Sequence, residues 1–401
     1  MSTLDLPSRP CPICKSEERK LLYAQRFGTL STGSLLAGYD LVACQACGFT
    51  FADHIPEQAV FDRHYAEMSK YEYAHREGGE SPFDAARFTQ IAAYLASHVP
   101  DRKTRILDVG CATAGQLAKL RGLGYENLTG LDPSSTCARL AREFYDIEVR
   151  VGTLFAHDLP ANSYDLIILV GVLEHVRDVA EAVRKLGPCL SPSGQMFAEV
   201  PDATAFADWP DAPYQEMSIE HINFFGPQSL ENLMRVTGHT LVAMDRPPRQ
   251  FTKTTVMPSA AGLFRRTNEA LPLTPDAESA PRLLEYIQQS AAEEERVARL
   301  IDDLVKSGRA MAVWGVGTHT LHLMETTNLG DARITAFVDV NSKYHGKELF
   351  GRPIVAPEKM RETNEPILIS SRAFQNDIAE MIEKELKLPN DLILLYEEAQ
   401  G

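Results

Sequence analysis

The sequence predicts an α/β protein: a doubly wound parallel sheet, preceded by a small metal-binding unit and followed by a second, smaller α/β unit. Three observations predict it. Two Cys-x-x-Cys pairs fall within the first 47 residues, apolar strands alternate with helical stretches from about Phe83 to Val200, and the order strand, glycine turn, helix, strand returns after Ala310. Alternation of this kind means parallel strands covered by helices. The chain has 401 residues, more than the roughly 250 to 300 at which one core stops growing, so several domains are expected.

Charge and hydropathy exclude several classes. The net charge is −15, from 55 acidic against 40 basic side chains, and no dense Lys/Arg cluster offers a track for phosphates. Nucleic acid is therefore not an expected partner. The longest strongly apolar run, Leu166 to Leu173, is too short to cross a bilayer, and Met1 to Pro12 has no apolar segment. The expectation is a cytoplasmic protein with no membrane contact.

Residues 1–75 carry the paired cysteines, Cys11 with Cys14 and Cys44 with Cys47. A two-residue gap lets both thiolates of one turn reach a single ion at about 2.3 Å, so four cysteines in two pairs describe a tetrahedral zinc site. Four ligands leave no open position, which makes the metal structural. The intervening Lys15 to Ala43, with Gly28, Gly33 and Gly38, suits a β-meander. Seven cysteines is an odd number, and a reducing compartment favours metal over disulfides.

Residues 80–245 read as the main α/β domain, with helices at Ala85–His98, Gln116–Leu123, Ser134–Tyr145 and Val179–Leu186. Its strands are Arg105–Val109, Leu128–Leu131, Val149–Val151, Tyr164–Val170 and Gln195–Val200. Residues 246–308, rich in Pro and Thr and then polar with the acidic run Glu293 to Glu295, read as a linker and a spacer helix from about Arg282 to Ser307. Residues 309–401 form the closing unit, with strand Ala310–Trp314, helix His319–Thr326 and strand Ile334–Val338.

The turn Asp108-Val109-Gly110-Cys111-Ala112-Thr113-Ala114-Gly115 stands between a strand and a helix, where backbone can approach a ligand. Ala112 replaces the second glycine of the dinucleotide fingerprint, and an acid, Asp108, precedes Gly110 by two. An acid there suits a ligand with a cationic amino group. A second acid, Asp132 before Pro133, ends the next strand, where a carboxylate accepts ribose hydroxyls.

On these residues the chain resembles class I S-adenosylmethionine-dependent methyltransferases, with a Rossmann-like core. Tyr164 to Ile168 as fourth strand, Gly171-Val172-Leu173-Glu174-His175-Val176 after it, and Leu190-Ser191-Pro192-Ser193-Gly194 before the fifth agree. The resemblance implies S-adenosylmethionine at Asp108, Gly110, Cys111, Gly115, Asp132, Pro133, Val170 and His175. Ala112 and Ala114 stand where glycine is frequent. Taken whole, the chain is similar to the zinc-binding sugar methyltransferases, which include natural-product enzymes acting on nucleotide-linked sugars. That resemblance implies transfer of a methyl group to carbon or oxygen of such an acceptor.

Methyl transfer to a hydroxyl or an acidic C–H needs a base. Met217 to Phe225 follows the fifth strand, and the resemblance makes His221 the base with Glu220 beside it, while Ser218 stands where a tyrosine is usual. Tyr214, just before this segment and able to supply the missing hydroxyl, and Asn223 within it are candidate substrate contacts. In the closing unit, Gly315 and Gly317 form a turn able to hold a phosphate or nucleotide, with Asp339 poised for a ribose. An NAD(P)-dependent oxidoreductase would need a third glycine where Thr320 stands, and a non-catalytic binding protein would lose Asp108 or Asp132.

Overall fold

A computed structural model describes residues 6–28, 35–67, 80–209, 212–250, 252, 255–267 and 269–396. Gly33 lies outside them.

The first cysteine pair forms a turn that the Lys15 N–H closes on the Cys11 carbonyl, with Lys15 in the left-handed region at φ 65°. Strands β1 (Arg19–Arg26), β2 (Gly38–Cys44) and β3 (Thr50–Asp53) form the expected antiparallel meander. The second pair repeats the turn: the Gly48 N–H bonds the Cys44 carbonyl at φ +79°. Glycine is required at that position. A Cβ there would stand 1.9 Å from the Asp276 carbonyl oxygen. Helix α1 (Gln58–Glu67) follows.

Helix α2 (Pro82–His98) starts where the Ser81 hydroxyl accepts the Asp84 N–H and Pro82 fills the first turn. Then come β4 (Arg105–Val109), α3 (Gly115–Gly122), β5 (Asn127–Asp132), α4 (Ser135–Tyr145), β6 (Val149–Val151), β7 (Tyr164–Val170), α5 (Val179–Leu186) and β8 (Leu190–Pro201). The two-residue β9 (Asn223–Phe224), α6 (Pro227–Val236), β10 (His239–Asp245), β11 (Pro248–Gln250) and β12 (Val256–Arg266) complete this part. The sheet runs β10-β12-β8-β7-β4-β5-β6, with β4 to β8 parallel and β12 antiparallel to both its neighbours.

Two differences from the sequence reading stand out. The stretch after Arg246 is not a linker alone: β12 pairs with β8 from Arg265↔Gln195 to Ser259↔Pro201 and supplies the sheet's antiparallel strand. Behind Pro258 and its small residues both faces are buried, Ala260 and Phe264 on one side of the sheet and Ala261 and Leu263 on the other. The second difference is β9, which leaves the main domain to pair with β3 through Thr50↔Phe224 and Phe51↔Asn223. One face of the large sheet packs on α2, α3 and α4, while the other packs on α5, α6 and the rings of Phe49 and Phe51.

Helix α7 (Ser279–Ser307) buries Leu283, Tyr286, Ser290, Val297 and Ile301 along one stripe, the 3.6-residue spacing of a helix that faces a core on one side. The closing unit comprises β13 (Met311–Trp314), α8 (Thr318–Thr326), β14 (Ile334–Val338), β15 (Glu348–Leu349), β16 (Arg352–Val355), β17 (Ile367–Ile369), α9 (Gln375–Glu380) and β18 (Leu392–Leu394). Its sheet order is β15-β16-β14-β13-β17-β18, parallel except for β15. Among the described residues no helix is long and apolar enough to cross a membrane.

Candidate active site

The four paired cysteines converge. Their sulfurs all lie within 4.8 Å of one another, with Cys11 to Cys47 at 3.7 Å and Cys14 to Cys44 at 3.5 Å. A tetrahedron with zinc–sulfur bonds of about 2.3 Å has edges of about 3.8 Å, so the donor set fits one zinc ion. All four are free thiols.

At the carboxyl ends of β4 and β5, Asp108 and Asp132 are both buried. Asp132 braces the turn: one oxygen accepts the Ala112 N–H at 2.9 Å and the other the Ser134 N–H at 2.9 Å. Gly110, at φ +71°, donates to the Leu131 carbonyl, and a Cβ on it would meet Val172 at 2.7 Å. Ala112 and Ala114 hold φ +46° and +64°, a region that costs an L-residue about 1–2 kcal/mol. Burial, reinforced by Asp132 and opposed by Arg87, pushes the Asp108 carboxyl up to about 8. Two buried acids in this state fit a ligand that brings positive charge, as the expected cofactor does.

Not every residue assigned to that cofactor faces the cleft. The Cys111 side chain packs over Gly130, whose ideal Cβ would stand 2.5 Å from its sulfur. The close approach that Gly115 permits is made by Glu80 and Phe88. Glu80 is held there by Lys119 at 3.1 Å and the Tyr145 hydroxyl at 2.8 Å. Pro133 follows Asp132, and half-buried Val170 ends β7 beside Glu199 of β8.

His175, on the segment whose Val172 packs against Gly110, meets His221, their ring centroids 5.0 Å apart. His175 Nδ1 lies 3.0 Å from the Tyr65 hydroxyl and 3.1 Å from the Glu220 carbonyl oxygen. Glu220 thus contributes its backbone to the pair. His221 Nδ1 lies 3.9 Å from the Glu216 carboxylate, and the Ser218 hydroxyl accepts the N–H groups of Glu220 and His221, fixing the turn that carries them. Burial first, then His175, lowers the His221 imidazole to about 4, so it is neutral at pH 7 with a lone pair to offer. Burial also raises the Glu174 carboxyl, which is 3% exposed.

The sequence did not point to Tyr65, Glu174 or Glu216 as parts of this cluster. Tyr65 arrives from α1, about 110 residues before His175, and no local spacing announces such a contact. For Glu174 the signal was present, since it adjoins His175 in the segment after β7.

Asn223 corrects an expectation. Its amide nitrogen donates to the Leu173 and Val176 carbonyls at 2.9 and 2.6 Å, so it ties β9 to the turn bearing His175 rather than facing a substrate. Tyr214 is 4% exposed and stacks on Tyr23 with centroids 4.6 Å apart, with His322 of α8 at 5.1 Å, so it seals a junction between units.

The closing unit repeats the anatomy of the core turn. Gly315, at φ +106°, donates to the Val338 carbonyl, and Asp339 accepts the Val316 N–H at 3.1 Å and the Asn341 N–H at 2.8 Å. Gly317 is ordinary at φ −75° and has open space where a Cβ would stand.

Residues 83–244 match a family described as "Methyltransferase domain", and residues 308–394 one described as "C2185-like, N-terminal". Over 100 residues the chain is 40% identical to a ubiquinone biosynthesis O-methyltransferase of Methylocella silvestris, covering 23% of this chain and 38% of the relative. Over 112 residues it is 32% identical to a tRNA U34 carboxymethyltransferase of Trichlorobacter lovleyi, covering 26% and 35%. The chain thus spans little more than a third of these curated relatives. A 1,6-didemethyltoxoflavin-N1-methyltransferase of Burkholderia thailandensis aligns over 60% of this chain and 100% of its own, at 17% identity and a TM-score of 0.42. Residues 83–244 are a class I S-adenosylmethionine-dependent methyltransferase domain.

Proposed function

We propose that the protein transfers the methyl group of S-adenosylmethionine to carbon or oxygen of a small-molecule acceptor, with His221 taking the acceptor's proton. The observation that carries this reading is the meeting of a neutral His221 with His175 and Glu174, on the segment whose Val172 packs against the Gly110 turn. Bound S-adenosylmethionine would supply an electrophilic methyl group on a cationic sulfur. Asp108 and Asp132 would hold its positive and ribose portions, and the Gly110 turn would let backbone close on it. His221 would receive the proton, with the carboxylates of Glu174 and Glu216 beside it to balance the imidazolium. His175 and Tyr65 would wall the acceptor side.

Zinc at Cys11, Cys14, Cys44 and Cys47 would stabilise the meander that anchors β9, and β9 begins two residues after His221. The metal would act on chemistry through position alone. For the acceptor, a nucleotide-linked sugar fits the Asp339 turn. That loop reaches α1 where the Lys343 amine donates to the Glu67 carbonyl, two residues from Tyr65. The seven free thiols fit a reducing compartment, the cytoplasm.

The test is product formation from methyl-labelled cofactor across a panel of nucleotide sugars. His221→Ala should lower kcat by about 10² to 10⁴ while cofactor affinity stays within about twofold. Loss of turnover in His175→Ala but not in His221→Ala would move the base to His175. Metal analysis should find one zinc per chain, falling with Cys47→Ser; a value near zero in protein prepared without chelators would remove the metal.

A further inference from the structure

One face of α2 does not close on the sheet beneath it. Arg87, Gln90, Ile91 and Tyr94 recur at the three- and four-residue spacing of a single helix face. Opposite them stand Phe197 and Glu199 of β8 and, on β12, Ser259 and Ala261, alternate residues that share one side of their strands. Ser259 and Ala261 are too small to fill the gap. A cavity of about 540 Å³ remains, within the roughly 300–1,000 Å³ of small-molecule pockets.

The third wall is the corner between β10 and β11. Its two prolines, Pro247 and Pro248, fix the backbone and have no N–H, and the Ser259 hydroxyl donates to the Pro247 carbonyl at 2.8 Å, so this wall is rigid. Rings therefore dominate the apolar lining: both prolines, Phe197, and Tyr94 with its centroid 5.5 Å from that of Phe197. Ring-on-ring contact favours a flat ligand. Three arginines and two acids complete the lining. Arg87 is committed to Glu199, on which its Nε and Nη2 converge at 2.9 and 2.6 Å. Asp245 lies beside the Tyr94 hydroxyl, which burial and that charge push up to about 12. Arg246 is 49% exposed; its Nε and Nη2 donate to Asp202 at 2.6 Å and Thr204 at 2.7 Å, which leaves Nη1 for a ligand. The floor is also removed from the turn after β4, because β7 stands between β8 and β4 and two strand spacings are about 10 Å.

We propose that this cavity binds a second small molecule, a flat apolar ring system bearing an oxygen that accepts a hydrogen bond from Arg246, at a site separate from the S-adenosylmethionine cleft. The experiment titrates 2-naphthoate into the full chain by calorimetry. One equivalent should bind, about tenfold or more tighter than 2-naphthylmethylammonium, the same ring with the opposite charge. Gln90→Trp, at an exposed position on the mouth, and Ala261→Leu, on the floor, should each weaken 2-naphthoate by about tenfold or more. Melting temperatures show whether both variants fold, and Gln90→Trp decides alone if Ala261→Leu does not. Saturating S-adenosylmethionine should leave the affinity for 2-naphthoate within about twofold. No saturable binding, or binding that Gln90→Trp leaves intact, overturns the site. Equal affinity for the two naphthalenes overturns the Arg246 contact, and displacement by S-adenosylmethionine overturns the separation from the cofactor cleft.

Discussion

The two glycine turns of this molecule, one after β4 and one after β13, share a skeleton and differ in chemistry. In each, a glycine with positive φ donates to the last residues of the neighbouring strand at 2.8 Å, and an aspartate ending that strand accepts two backbone N–H groups. Two residues before the glycine, however, the core has buried Asp108 and the closing unit has buried Val313. The core turn is also strained, with two left-handed alanines, whereas Gly317 in the closing unit is relaxed. The shared part builds a ligand-approach turn with a ribose-accepting acid. The acid at 108 is what selects positive charge.

The largest effect should come from writing the second turn's residue into the first. Asp108→Val removes a charge-assisted contact of about 1.5–3 kcal/mol and should weaken S-adenosylmethionine binding by about 10- to 150-fold in calorimetry. Titration adds a signature. The Asp108 carboxyl stands near 8, above its ordinary 3.8, so in the free protein it is protonated at pH 7, and on its account stability declines as pH rises from about 4 to 8. A cationic ligand favours the ionised form, releases that proton, and should bind about tenfold more tightly per pH unit up to about pH 8. The slope should vanish in Asp108→Val. Affinity independent of pH in the unaltered protein would contradict the placement.

Backbone strain gives the smaller effect. Ala112→Gly relieves about 1–2 kcal/mol of left-handed strain against about 0.5–1 kcal/mol of added chain entropy, so thermal unfolding should show a gain of up to about 1.5 kcal/mol. At the relaxed position the sign of the argument reverses: Gly317→Ala should be neutral or stabilising by a few tenths. Destabilisation by both would mean that the two turns do not differ as described.

Much of this was legible in the sequence, for reasons that differ by element. Strands Arg105–Val109, Val149–Val151 and Tyr164–Val170 and helix Val179–Leu186 appear with the residues expected, because the first and third are largely buried and apolar, the short edge strand Val149–Val151 is β-branched, and the helix is amphipathic. The four cysteines were legible because metal spacing is local. Strand β12 was not, since Pro258 and a run of small residues imitate a linker and its partner lies over 50 residues earlier. The same limit applies to the active-site cluster. His175 and His221 follow strands and were marked as candidates, while Tyr65 and the β3–β9 pairing depend on a meander folding back across 170 residues. Asn223 shows the converse: a polar residue in a functional segment whose whole amide is spent on bracing.

The most direct test of the central claim, that the cofactor occupies the turn after β4 and not its counterpart, is calorimetric titration of S-adenosylmethionine into Asp132→Ala and Asp339→Ala side by side. Asp132→Ala loses the brace on Ala112 and Ser134 as well as the proposed ribose contacts, and affinity should fall at least tenfold; Asp339→Ala should leave it within about twofold. Unchanged binding in Asp132→Ala together with weakened binding in Asp339→Ala would contradict the account.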